Sequence, residues 1–457
     1  MGLYDFRTPF FFIRDPDLAK LICVKEFNNF TDHLYTINEN IDPLLCSALI
    51  SLSGKKWRYM RSTLSPMFTG SKMRLMQNLV TDTTKSAIQT VANKVIGTQT
   101  DEGLEMKEFF SKFTIDIIAS CAFGLKVDTF ENPENDFKKI ANETMNPSGF
   151  LIVFKFFFLY FVPKLMKILN ISLLSHHTKS FFRSTVNETM EYREKNNIVR
   201  PDMIHLLMEA QKGKLTHEAK NDQDEGFAVV EESEVGRSKV MTKWTNDELV
   251  AQCLLFFLAG FDTTSTTLSF CAYELAVNPE IQENLRDEIR KVEVSLNGQH
   301  LTYEDLLKIK LLDQFVTEIL RKWSPSPAIE RFCVKDFTFE LDGKTITIPK
   351  DHSVLISTHG WHRDPKYFPD PDKFNPDRFN AEQIENQNLN AYAPFGIGPR
   401  NCIGSRFALM NVKTIIYQML LDFRFEVSTK TQIPLKYKKT MMNVVAETGW
   451  WIKLKKL

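Results

Sequence analysis

The stretch Phe395-Gly-Ile-Gly-Pro-Arg-Asn-Cys-Ile-Gly404 decides how the rest of this 457-residue chain is read. Cys402 stands in a loop with three glycines and a proline, and a helical pattern from Arg406 to Leu421 starts just behind it. Glycine lets backbone approach a bulky flat partner and supplies the positive-φ turns that fix a neighbouring side chain's direction. A thiolate ahead of a helix N-terminus is stabilised by the dipole and by inward-pointing N–H groups. Arg400, two residues earlier, offers a cation to an anionic group on the same partner. A thiolate, close backbone and a cation together suggest haem iron, for which cysteine thiolate is a known axial ligand. The plainer reading is a buried structural cysteine in a Gly-rich turn, the usual fate of a lone Cys.

Composition sets the outer limits. The chain is 43% apolar with 37 phenylalanines, enough for a large aromatic-rich interior. Its formal net charge is zero, so no global field draws it to nucleic acid, and any charged docking face must be local. Seven cysteines without a C-x-x-C pair argue against a disulfide framework or a zinc site and for a reducing compartment. Met1 to Arg7 shows neither a signal peptide nor an anchor helix, so we expect a chain truncated at its N-terminus.

Three further constellations carry chemistry. Thr245, with Glu248 three residues on, reads as a capping box that opens a helix running to Val277, where Asn278-Pro279 ends it. Apolar on nearly every side, that helix reads as buried and central. Its middle holds Ala259-Gly-Phe-Asp-Thr-Thr-Ser-Thr-Thr267. Ala259 and Gly260 are small enough to admit a planar group, while Asp262 and Thr263 put an acid and an alcohol where polar groups cost free energy unless satisfied. Buried helical hydroxyls usually bond back to a carbonyl one turn earlier, which is the plain alternative for each of them. Trp57 and Arg61, four apart on one helix face, present an indole N–H and a guanidinium suited to a carboxylate. Glu318 and Arg321 form an i,i+3 pair among the apolar Ile319, Leu320 and Trp323.

Taken together, these residues resemble the cytochrome P-450 monooxygenases. Phe395, Gly396, Gly398, Arg400, Cys402 and Gly404 fall on that family's fixed positions, Trp57–Arg61 on its W-x-x-x-R helix and Glu318–Arg321 on its E-x-x-R motif. Leu64-Ser-Pro-Met-Phe-Thr69 is most similar to the insect microsomal, detoxification-associated branch, and the resemblance covers the chain from Tyr4 onward. It implies one mainly α catalytic domain over 1–457 with a smaller β-rich part (α+β), holding haem b between the long helix and the cysteine loop. Cys402 would be the axial thiolate and metal ligand. Trp57, Arg61, Ala259, Arg331, Phe395 and Arg400 would bind the cofactor. Thr263 would hold the proton-donating water and Asp262 would organise proton delivery. Glu318, Arg321 and Arg378 would support the underside of the cysteine loop. The resemblance further implies a lipophilic substrate, electrons from NADPH–cytochrome P-450 reductase, cytochrome b5 as a second partner, and the cytosolic face of the endoplasmic reticulum membrane, with no nucleic acid. A haem-thiolate isomerase or dehydratase and a non-catalytic haem binder are the alternatives; the intact acid–alcohol pair argues against both.

Several expectations concern surfaces. Lys55, Lys56, Arg58 and Lys413 are candidate reductase contacts, and Leu49, Ile50 and Leu52 candidate pocket contacts. Gly213 to Lys243, with Asp222, Asp224, Glu225, Glu231, Glu232 and Glu234, reads as a solvated loop. Phe150 to Val162 is too short to span a bilayer; the resemblance places it in a lid over the substrate entrance, and Met441–Val445 at the last pocket-lining turn. His362 reads as structural, since only His359 stands near it at ligand spacing.

Overall fold

The computed structural model describes residues 2–5, 8–33, 37, 41–145, 155, 158, 162–169, 171–213, 226–230, 232–237, 244–341, 343–384, 389–438 and 444–457. Helices dominate, and short strands gather into three small sheets. The Asn246–Val277 helix is the axis of the assembly: Met106–Ile118, His176–Asn196 and Ser405–Asp422 all pack on it. Its 32 residues span about 50 Å at ~1.5 Å per residue. The capping box forms as its sequence predicts: Thr245 Oγ1 accepts the Glu248 N–H at 3.2 Å, and Glu248 Oε2 accepts the Thr245 N–H at 2.8 Å. Asn278 closes this helix and Pro279 opens the next, where a missing N–H costs nothing.

Aromatic side chains tie the neighbouring helices to this axis. Phe257 lies 5.6 Å from Phe137, 5.5 Å from Phe182 and 5.1 Å from Phe261, in the tilted geometries that ring quadrupoles favour. The Gly70–Thr90 helix loosens into a π-type turn at Val91–Val95, and Met106–Ile118 loosens in the same way at Ala119–Phe123.

The strands are β1 (Gly2–Asp5), β2 (Thr8–Ile13), β3 (Leu104–Glu105), β4 (Ile329–Phe332), β5 (Phe337–Leu341), β6 (Lys344–Ile348), β7 (Ser353–Ile356), β8 (Phe423–Val427) and β9 (Trp451–Lys456). One sheet has the order β1-β2-β7-β4, with β2 and β7 parallel and Phe10 opposite Ser353. A second has the order β3-β9-β8. The third is the β5–β6 hairpin, closed by a two-residue connection whose Gly343 sits at φ +73°. Among the described residues no strand forms at Leu435–Tyr437 or at 444–445. A single bridge, Tyr437 to Ala446, stands there, next to Pro434, which has no N–H to give a ladder.

Candidate active site

The cysteine loop is built by its glycines. Gly396 and Gly398 adopt φ +80° and +75°, which L side chains rarely reach. A Cβ on Gly398 would stand 2.0 Å from the Cys23 carbonyl oxygen, so only glycine fits against that neighbouring turn. Inside the loop the Cys402 N–H donates to the Phe395 carbonyl at 2.8 Å and the Asn401 N–H to that of Gly398 at 2.9 Å. Cys402 is the one exposed cysteine of the seven. Its thiol nonetheless sits inside a shell of protein that pushes its pKa up, with the Gly404 N–H and Arg61 pulling the other way. A coordinated metal would have to displace the proton.

On the long helix, the exposed residues beyond the first turn are Ala259 and Thr263, one turn apart. Phe68 links this stripe to the cysteine loop: its ring lies 5.4 Å from that of Phe256, and its Cε1 would be 3.8 Å from a Cβ on Gly404. Thr263 Oγ1 donates to the Ala259 carbonyl at 2.7 Å. Gly260 turns elsewhere. A Cβ there would meet Ile118 Cδ1 at 2.6 Å, so its smallness serves the crossing with Met106–Ile118 rather than a planar ligand. Asp262 also faces away from the stripe. Lys107 Nζ donates to Asp262 Oδ1 at 2.8 Å, to the Asp262 carbonyl at 2.6 Å, to Ser265 Oγ at 2.8 Å and to Thr266 Oγ1 at 2.7 Å. Acid and alcohol are thus adjacent in sequence but serve two faces of the helix.

Three arginines converge beside the loop. Arg400 donates to the Thr31 carbonyl at 2.8 Å and the Leu52 carbonyl at 2.7 Å, and its guanidinium lies 4.2 Å over the buried Trp57 ring. Burial, followed by the nearby Arg331 and Arg61 charges, pulls its pKa down to about 9 despite Asp32. Arg331, on β4, donates to the Glu330 and Ile397 carbonyls at 2.8 and 3.3 Å, and its Nε finds no partner among the described residues. Arg61 donates to the Asn401 carbonyl at 2.8 Å and to Asn401 Oδ1 at 2.6 Å, and pairs with Glu232. A cationic cluster with an orphaned buried N–H calls for an anion. With the thiol of Cys402 and the exposed Ala259–Thr263 stripe, these residues fit a haem.

The expected support trio is assembled. Arg321 grips Glu318 at 2.6 and 2.9 Å and donates to the His362 and Pro371 carbonyls; Arg378 Nε approaches Glu318 at 3.4 Å. His362 carries the connection toward the loop, because its Nε2 accepts the Ala393 N–H at 3.0 Å. Burial, then the Arg321 charge, lowers its pKa to about 3, which keeps the ring a neutral acceptor. Among the pocket candidates, Leu49 is buried, Leu52 half-buried and Ile50 exposed. Of Phe150–Val162 only residues 155, 158 and 162 are described, and Met441–Asn443 also lies outside the described residues.

Three partners escaped the sequence reading. Lys107 and Asn401 carry no motif, and Glu232 sits in an acidic run that reads as solvated. Lys413, a candidate docking contact, is buried and paired with Asp313 at 2.7 Å.

Residues 1–450 match the family model described as cytochrome P450. The chain is 39% identical over 460 residues to probable cytochrome P-450 9f2 of Drosophila melanogaster, covering 99% of this chain and 86% of that protein. It is 39% identical over 467 residues to cytochrome P-450 9e2 of Blattella germanica, at 99% and 85% coverage. A third relative, cytochrome P-450 6k1 of Blattella germanica, is 35% identical over 449 residues, at 98% and 83%. The chain belongs to the cytochrome P-450 family of haem-thiolate monooxygenases.

Proposed function

We propose that this monooxygenase carries haem b, draws electrons from NADPH through NADPH–cytochrome P-450 reductase with cytochrome b5 as a second donor, and inserts one oxygen atom into a lipophilic small molecule. The observation that carries the reading is an exposed cysteine in a glycine-shaped loop together with an exposed Ala259–Thr263 stripe on the long helix, the loop and that helix being joined through Phe68 and Phe256. When bound, the haem supplies oxygen activation. The chain's own residues do the rest. Cys402 supplies the ligand, Trp57, Arg61, Arg331 and Arg400 the cationic cradle, Ala259 and Phe395 the close contacts, and Glu318, Arg321 and Arg378 the support beneath the loop. Thr263 orients a water at its hydroxyl oxygen, whereas Asp262, held by Lys107 on the helix face turned away from the stripe, ties the long helix to Met106–Ile118.

A ferrous–CO spectrum of the thiolate type, lost in Cys402→Ala, tests the ligand; a variant that kept the spectrum would overturn the assignment. NADPH oxidation coupled to product across a lipophilic panel, with purified reductase, tests the reaction. Product formed from a peroxide without external electrons would favour the isomerase reading. The phenylalanine-rich Phe150–Val162 sequence supports a substrate entrance at a bilayer and a place on the endoplasmic reticulum. The resemblance of Leu64–Thr69 to the insect detoxification-associated branch suggests xenobiotics as the substrate class. Equal distribution of the chain between cytosol and microsomes after cell fractionation would count against that location.

A further inference from the structure

Residues 226–230 and 232–237 do not stand off in solvent as the acidic sequence of this region suggests. Phe227 anchors one end, with its N–H donating to Asp313 Oδ2 at 3.2 Å and its ring 5.2 Å from both Phe379 and Tyr392. Ala228 is buried, and the Glu234–Arg237 turn packs on the Gly54–Leu64 helix that carries Arg61. Between these anchors Glu232 meets Arg61 with both carboxylate oxygens, at 3.1 Å to Nε and 2.6 Å to Nη2. The guanidinium's other contacts are the Asn401 carbonyl and side chain, at 2.8 and 2.6 Å, one residue before Cys402. Arg61 is 3% exposed and Glu232 17%, so the pair is poorly screened by solvent. A carboxylate there holds Arg61 in one orientation and offsets its charge.

We propose that Glu232 is a positioning residue that locks Arg61 against the Cys402 loop and, by offsetting the Arg61 charge, sets the reduction potential of the bound haem. This rests on the haem-thiolate reading above. Adding one electron to the iron adds negative charge beside the loop. A neutralised arginine stabilises that charge less than a bare one. Removing the Glu232 charge should therefore favour the ferrous state.

The experiment is a spectroelectrochemical titration of the ferric/ferrous couple in the haem-loaded protein, with dithionite as reductant. Glu232→Gln should increase the reduction equilibrium constant by about tenfold, a positive shift of ~59 mV for one electron. Glu232→Asp keeps the charge but shortens the reach, and should fall between parent and Gln. Glu234→Gln, an exposed carboxylate on the same turn, should leave the potential unchanged. No shift in Glu232→Gln would mean that a haem propionate takes Arg61 from Glu232, and the proposal falls. Equal shifts in Glu232→Gln and Glu234→Gln would reduce the effect to net charge and overturn it as well. Should Glu232→Gln not load haem, the comparison of Glu232→Asp with Glu234→Gln decides by the same rule. Absence of the thiolate-type ferrous–CO spectrum in the parent would instead overturn the haem-thiolate reading and leave the Glu232–Arg61 contact standing.

Discussion

Thr263 gives its hydroxyl proton to the Ala259 carbonyl, which leaves its oxygen as an acceptor in the exposed stripe. That is the plain helical back-bond, and it is also the geometry needed to hold a donor water. Thr263→Ala should retain haem and NADPH oxidation while product per NADPH falls several-fold and released peroxide rises. An unchanged ratio would make the hydroxyl purely structural. His362 is a second residue whose chemistry is set by burial. Between its folded pKa of about 3 and the ordinary 6.5, the unfolded chain binds more protons, so stability is full above pH 6.5 and is lost as pH falls toward 3. At ~1.36 kcal/mol per pH unit the loss is about 3 kcal/mol by a pH of about 4.5 and grows further toward pH 3. His359, lowered to about 4, adds to it with the same sign. Urea midpoints of His362→Gln should vary less across this window than those of the parent; equal slopes would remove His362 as the cause. Thr263, Cys402 and the arginines were legible because their spacing is local. Glu232 was not, because its partner Arg61 lies far away in sequence and nothing local marks one carboxylate in an acidic run.

At the scale of elements, the long helix declared itself fully: capping box, apolar interior and Asn-Pro stop are all in the sequence. Which neighbour each of its faces meets was not legible, and Gly260 shows why. Its lack of a side chain reads as space for a ligand, yet it is where Ile118 presses in from the crossing helix. Gly260→Val should destabilise the fold by about 1–3 kcal/mol through overpacking. Adding Ile118→Ala should recover part of that loss. A double variant no more stable to heat than Gly260→Val alone would mean that the crossing is not where the strain lies. The π-type turns that end Gly70–Thr90 and Met106–Ile118 also left no mark in the apolar pattern, since the register changes without a Gly or Pro to announce it.

For the molecule as a whole, zero net charge places any electrostatic docking on local patches. Lys55 and Lys56 are exposed at the start of the helix that carries Trp57 and Arg61, whereas Lys413 is removed from the surface by Asp313. Reversing both exposed lysines to glutamate should slow reductase-driven reduction by roughly tenfold at low salt and flatten its salt dependence. Reduction by dithionite should be unaffected. Unaltered reductase kinetics would move the docking face elsewhere.

The parallel pairing of β2 with β7 has a consequence for biosynthesis. Thr8–Ile13 leaves the ribosome early, but its partner Ser353–Ile356 follows only after most of the chain has been made. At about 5–20 residues per second that wait is on the order of tens of seconds. Through it, a strand with three consecutive phenylalanines has one edge unmet. The cysteine loop comes later still, because Gly398 cannot seat against Cys23 until both have been made. Sheet and site therefore close only once segments far apart in sequence are both present, and the Thr8–Ile13 edge stays open to other chains until then.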